Sequence, residues 1–191
     1  MRTASELILI HGYTATSVDK ICEACGIKKG SFYHHFASKE ELAVEALNRD
    51  WEQFKRVLDE AFSPTRAPIE RIRAFLKANH ACQVSWNKTR GFVCGCPLFS
   101  LGAEIGAHEP ALRAKVDEHL GMMARYFESA LREGHALGEV DATDPHGTAW
   151  LIVTFIEGAL TLGRIRNSLQ PIEETERGVM RLIGAIPARA A

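Results

Sequence analysis

Apolar residues along this 191-residue chain recur at three- and four-residue spacing almost from end to end, and strand-like alternation is scarce. In "SKEELAVEALNRDWEQFKRVLDEAF", for example, Leu42, Ala46, Trp51, Phe54, Leu58 and Phe62 fall on one helical face. A chain of this kind is restricted to packing helix on helix, because each apolar stripe needs another to cover it. The expected fold class is all-α, with about nine helices.

The breaks between them are legible. Helices are expected over 3–11, ended by Gly12, and from "TSVD" to Gly26, where Thr16 or Ser17 can cap the free amides and Asp19 complements the positive helix end. A short helix follows over 28–36. Ser38 then caps the long helix, with Glu41 three residues on as a capping-box partner. Beyond "SPTRAP" (63–68), helices are expected over 69–86, 97–105, 110–134, 144–167 and 172–186, with loops at "NKTRG" and "GHALGEVDATDP". The layout predicts a three-helix head (1–47), a connecting helix to about residue 62, and a helical body (63–191).

Composition limits the partners. A net charge of −1 does not advertise a polyanion partner, so any nucleic-acid footprint must be local. From Lys28 to Lys39 there is no acidic residue, although residues 1–50 as a whole are about neutral. The five cysteines are an odd number, and Met1-Arg2-Thr3 does not open a secretory leader, so free thiols and a cytoplasmic location are expected. The longest apolar run, 149–156, is too short to span a bilayer and is followed by Glu157, so no membrane segment is expected. His80, His108, His135 and His146 lack ligand-like spacing, and neither a metal nor a cofactor is expected.

Helix, tight turn and short helix form a helix-turn-helix. Gly26 suits the turn. In "IKKGSFYHHFASKEEL", Phe32 and Phe36 lie four apart and face the core of the head. Gly30, Ser31 and His34 point away from them, flanked by Lys29, Tyr33 and His35. That surface offers donors, an aromatic hydroxyl and a glycine permitting close approach, which suits phosphate oxygens and base edges in a major groove. A merely solvated face is the alternative.

The stretch "GYTATSVDKICEACGIKKGSFYHHFASKEEL" resembles the N-terminal signature of the TetR/AcrR family of bacterial transcription regulators; the resemblance is strong over 12–47 and rests on helix layout beyond that. It implies an all-α homodimer that binds a double-stranded, near-palindromic DNA operator and releases it when a small-molecule inducer enters the body. Carried over by position, DNA contacts fall to Lys29, Gly30, Ser31, Tyr33, His34 and His35, with Lys28 as an extra contact, and Thr16 and Lys39 at phosphate-contacting positions. The family usually carries several more residues before "SELILIHGY", so the resemblance implies either a misassigned start codon or a reduced head.

"CEAC" (22–25) lacks the second pair a zinc site needs, and both cysteines are expected in the head core. In "GFVCGCPLFSLGAEIG", Pro97 fits a first helical turn and puts Cys96 near the N-cap, where thiolate is favoured. Some branches of the family carry a similar segment whose cysteine senses electrophiles or oxidants. Cys96, alone or with Cys94, is thus a candidate switch, with core packing as the alternative.

Candidate ligand-pocket residues are Trp86, Phe92, Cys94, Cys96, Phe99, His119, Met123, Phe127 and Trp150, with Met122 and Phe155 as further wall material and Tyr126 and Glu157 as further anchors. The helices over 144–167 and 172–186 are more apolar than one body face needs and are expected to form the homodimer interface. No nucleophile–base–orienter spacing points to an enzyme. The function expected is a ligand- or thiol-controlled repressor. The rivals are an activator, or a sensor with a shortened head acting through a protein partner.

Overall fold

Helix is the regular structure throughout the residues described, 1–105 and 108–185 of a computed structural model. The elements are α1 (Arg2–His11), α2 (Val18–Cys25), α3 (Lys29–His35), α4 (Lys39–Ala61), α5 (Pro68–Arg90), α6 (Pro97–Ile105), α7 (Pro110–Ala136), α8 (Pro145–Arg166), α9 (Gln170–Glu173) and α10 (Thr175–Leu182). Glu174 alone separates α9 from α10, so the two read as one interrupted helix and the order matches the expected plan. Ile186, the expected end of the last helix, lies outside the described residues.

Two differences have local causes. "NKTR" continues α5 instead of looping: Thr89 Oγ1 donates to the Ser85 carbonyl at 2.9 Å, and only Gly91, at φ 79°, turns the chain out of the helix. α7 likewise runs on to Ala136, and Gly138, at φ 71°, lies beyond its end. The chain forms two compact units: one joins Met1–Phe54 with Pro97–His119, the other Lys55–Cys96 with Leu120–Ala191.

The first unit holds the head. Ala4, Ile21, Cys22, Phe32 and Leu42 form its core, with Leu7, Val18 and Phe36 packed against them. Ser17 caps α2, accepting from Lys20 N–H at 3.2 Å. Gly26 ends it in the left-handed region at φ 66°, which a β-carbon would strain. Ser38 Oγ accepts from Glu41 N–H at 3.0 Å, but the Glu41 carboxylate reaches the Ala37 N–H rather than that of Ser38, a displaced capping box.

α6 is tied to the turn after α1. The Glu104 carboxylate accepts from the backbone N–H groups of Tyr13 at 2.8 Å and Thr14 at 2.7 Å. Gly12, at φ 87°, leaves room for it; a β-carbon there would meet both carboxylate oxygens at 3.0 Å. Glu40 on α4 accepts from the first amides of α7, Ala111 and Leu112.

In the second unit Phe62, Phe75 and Phe127 pack ring against ring at 5.1–6.0 Å. Arg71, 6% exposed, donates to Glu133 and to the carbonyls of Arg66 and Pro64, which fixes the loop before α5. α8 packs on α9 and α10, and α10 on α5. By length and composition α8 is apolar enough to cross a membrane, which the expectation from unbroken runs did not anticipate, because Thr and Gly interrupt its apolar stretches. Ile152, Val153, Ile156 and Leu160 are buried within the unit, whereas Leu151, Phe155, Leu162 and Ile165 are exposed.

Candidate functional site

α3 is anchored by one side and open on the other. Phe32, 2% exposed, sits in the head core with Phe36 beside it at 5.7 Å between ring centroids. Lys28, Lys29, Gly30, Ser31, Tyr33, His34 and His35 are all exposed and form one continuous surface. Tyr33 is 51% exposed, its ring braced edge-on against Phe32 at 5.2 Å, so the hydroxyl is presented on a held ring. Nothing lies within 4 Å of the position a Gly30 β-carbon would occupy. No packing demand inside the chain explains that glycine.

Three features of this face were not legible beforehand. Lys29 Nζ lies 2.9 Å from Asp19 on α2, with both side chains exposed, and this carboxylate raises the lysine pKa. The acidic residue lies outside the 28–39 window in sequence but beside it in space. Lys39 is half-buried: its ammonium donates to the Tyr13 carbonyl at 2.9 Å and sits 3.9 Å from the Tyr13 ring centroid. Thr16 leaves the set of exposed contacts. It is 1% exposed, and its hydroxyl donates to the Gly12 carbonyl at 2.7 Å, so its side chain holds the turn after α1 and Ser17 does the capping.

The candidate ligand residues differ in burial and are divided between the two units. His119 lies in the first unit, stacked on Trp51 at 4.5 Å, and burial lowers its pKa. Phe127 and Met123 are core, Phe99 is exposed, and Trp86, Phe92 and Trp150 are half-buried, with Arg90 over the Trp86 ring at 5.4 Å. A cavity of about 330 Å³ in the second unit is lined by Phe62, Arg71, Arg125, Tyr126, Ser129 and Ala130. Of the ligand-pocket candidates read from sequence, Tyr126 is the one in that lining; burial and its bond to Asp59 push its hydroxyl up to about 12. No cluster of three His, Cys, Asp or Glu residues able to hold a metal occurs among the described residues.

The cysteines separate by environment. Cys22 is buried in the head core, while Cys25 is exposed, because α2 ends there and turns it outward. Cys94 is 0% exposed, and burial pushes its thiol up, partly opposed by Arg90. Cys96 is half-buried, immediately before Pro97, the first residue of α6, and its thiol is hydrogen-bonded to Glu157 on α8. The peptide between them is pinned: Gln83, 3% exposed, donates to the Gly95 carbonyl at 2.9 Å and accepts from its N–H at 3.1 Å. A single polar residue on an otherwise apolar stripe was the only sequence signal for Gln83. Glu157 is 2% exposed, and burial pushes its carboxyl up to about 7.

Comparison with known proteins agrees with the head geometry. Residues 1–46 match the family profile described as bacterial regulatory proteins, tetR family, and residues 68–179 match the tetracyclin repressor-like C-terminal domain. The chain is 30% identical to the transcriptional regulator AcuR of Cereibacter sphaeroides, over 93% of this chain and 80% of AcuR. It is 27% identical to the transcriptional repressor NemR of Escherichia coli K12, over 98% of this chain and 93% of NemR. A crystal structure of a regulatory protein TetR from Rhodobacter sphaeroides superposes with a TM-score of 0.83 at 30% identity, covering 95% of each chain.

Proposed function

The chain belongs to the TetR family of transcriptional regulators, and from that premise we propose that it is a dimeric repressor whose grip on its operator is controlled at Cys96. The observation that carries the DNA-binding part is the α3 surface: seven exposed residues from Lys28 to His35 on a helix held by buried Phe32. Lysines and hydroxyls there set the protein against phosphates, and Tyr33 and His34 reach base edges. Lys29 exchanges Asp19 for phosphate on binding, and Lys39 supports the turn after α1.

The exposed apolar residues of α8, Leu151, Phe155, Leu162 and Ile165, are what a second copy covers. Two heads are then presented to the two halves of a near-palindromic site. Control comes through α6. Cys96 precedes its first residue, and Glu104 near its other end holds the turn before α2. Modification of the thiol displaces the start of α6, and that displacement reaches the head through Glu104. A small molecule in the cavity beside Tyr126 is the second reading, favoured by the volume of that cavity.

An electrophoretic titration with DNA from upstream of the protein's own gene tests this, before and after a mild electrophile, with Cys96→Ser alongside. Release of the wild type and retention of Cys96→Ser is the expected result. Retention of both overturns thiol control and leaves the reversible ligand.

A further inference from the structure

We propose that Glu157 is the proton acceptor and donor of the Cys96 thiol, and that the pair is built for addition to conjugated carbonyl compounds. The proposal rests on the reading of Cys96 as the control point and names the chemistry of that site.

Glu157 has no structural reason to be an acid. It is 2% exposed on the buried side of α8, among Val153, Ile156 and Leu160. One carboxyl oxygen has no hydrogen-bond partner. A buried carboxylate is costly unless it is paired, and a glutamine would fill the same space while accepting the same thiol hydrogen bond. Among the described residues, the influences on Glu157 are burial and the Cys96 hydrogen bond, with no charged group among them. Arg90 on α5 acts on Cys94, and Arg164 on α8 lies against Gly95, where a β-carbon would meet its side chain at 3.4 Å. Glu157 is therefore a base poised close to neutrality, facing one proton source.

The loop holds that proton source in place. Gln83 grips both polar groups of Gly95, and Pro97 fixes the chain on the other side of Cys96. Cys94, two residues away, is fully buried, so it is a poor resolving thiol, and disulfide formation would also require an oxidant.

Conjugate addition requires what this pair supplies. The Cys96 proton passes to the Glu157 carboxylate as sulfur bonds to the β-carbon of an α,β-unsaturated carbonyl compound. The carbon–carbon π pair moves onto the carbonyl to give an enolate. Glu157 then returns the proton to the α-carbon. One S–H and one π bond break, one C–S and one C–H bond form, nothing is oxidised, and the carboxylate is regenerated.

The test follows the rate of Cys96 alkylation in the purified protein by peptide mass spectrometry across neutral pH. Acrylamide reacts by addition and needs a proton returned; iodoacetamide expels iodide and does not. The wild type should react with acrylamide along a profile that rises through about pH 7. Glu157→Gln should lose that rise and react about tenfold or more slowly with acrylamide, with a smaller loss toward iodoacetamide. Exposed Cys25, read in the same digest, should behave alike in both proteins. Equal rates and profiles in the two proteins overturn the role of Glu157 while leaving Cys96 as the switch. A Cys96 inert to both reagents overturns both readings. If Glu157→Gln does not fold, the wild-type profile decides: no rise through neutrality overturns the proposal.

Discussion

Gly30 separates folding from function more cleanly than any other residue on the α3 surface. A β-carbon there meets nothing within 4 Å, so Gly30→Ala should favour the helix by about 0.5–1 kcal/mol. If the α3 surface lies against DNA as proposed, the same methyl intrudes on that approach, so operator affinity should fall by about tenfold, on the order of a single mismatched base pair. Thermal melting and a binding titration on one protein sample read the two opposite signs. Glu157 gives a second test at this scale. Its folded carboxyl titrates at about 7, above the ordinary glutamate value, so the folded state holds the extra proton. Stability is therefore highest below the ordinary value and falls as pH rises from about 4.5 through about 7, by up to about 3 kcal/mol. Denaturant melts across that range should show the fall in the wild type and a flatter curve in Glu157→Gln. From sequence, the i, i+4 pair Phe32 and Phe36 already announced which side of α3 is buried. Thr16 could not be read in this way: capping, phosphate contact and internal bonding all suit a threonine before a helix, and only the structure shows its hydroxyl donating to the Gly12 carbonyl at 2.7 Å.

At the scale of elements, helix positions were legible because periodicity and punctuation agree. Gly12, Gly26 and Gly91 each end a helix in the left-handed or neighbouring positive-φ region. The misread loop "NKTRG" contains no breaker before its glycine, and composition alone suggested a turn; the loop expected from Gly134 likewise begins later, because α7 continues to Ala136. What the sequence could not convey is the docking of α6, whose partner lies about ninety residues earlier. Burial raises the Glu104 pKa, but the Thr14 and Tyr13 amides and the Lys39 charge outweigh it, so the carboxyl is held below its usual value. That stabilisation is present above the usual value and is lost as pH falls through the lower folded one. Glu104→Gln turns one acceptor into a donor facing an N–H. It should cost the head about 1 kcal/mol at neutral pH, a modest figure because the carboxylate is solvent-exposed, and the difference should shrink in acid, as pH falls below the usual glutamate value and through the lowered folded one. Melting of the full chain at both pH values checks it.

Across the whole molecule, a near-neutral chain binds DNA only if its charge is arranged locally, and the lysines of 28–39 provide that arrangement, tempered by Asp19. The family signature made the head readable, and the structure leaves the α3 residues singled out from it exposed. The body was readable only as a set of helices, because pocket walls are apolar side chains indistinguishable by type from core: Phe127 and Met123 are packing, while the cavity falls beside Phe62 and Arg71. The α3 surface is proposed to read an operator. Fluorescence anisotropy titration of the purified protein with its own upstream DNA and with a shuffled duplex of equal length tests that directly, alongside Tyr33→Ala and His34→Ala. The account predicts that the wild type prefers the upstream DNA by about 10³-fold or more, and that the variants lose much of the preference while keeping phosphate-driven binding to both duplexes. Equal wild-type affinity for the two duplexes, or full preference retained in both variants, would contradict it.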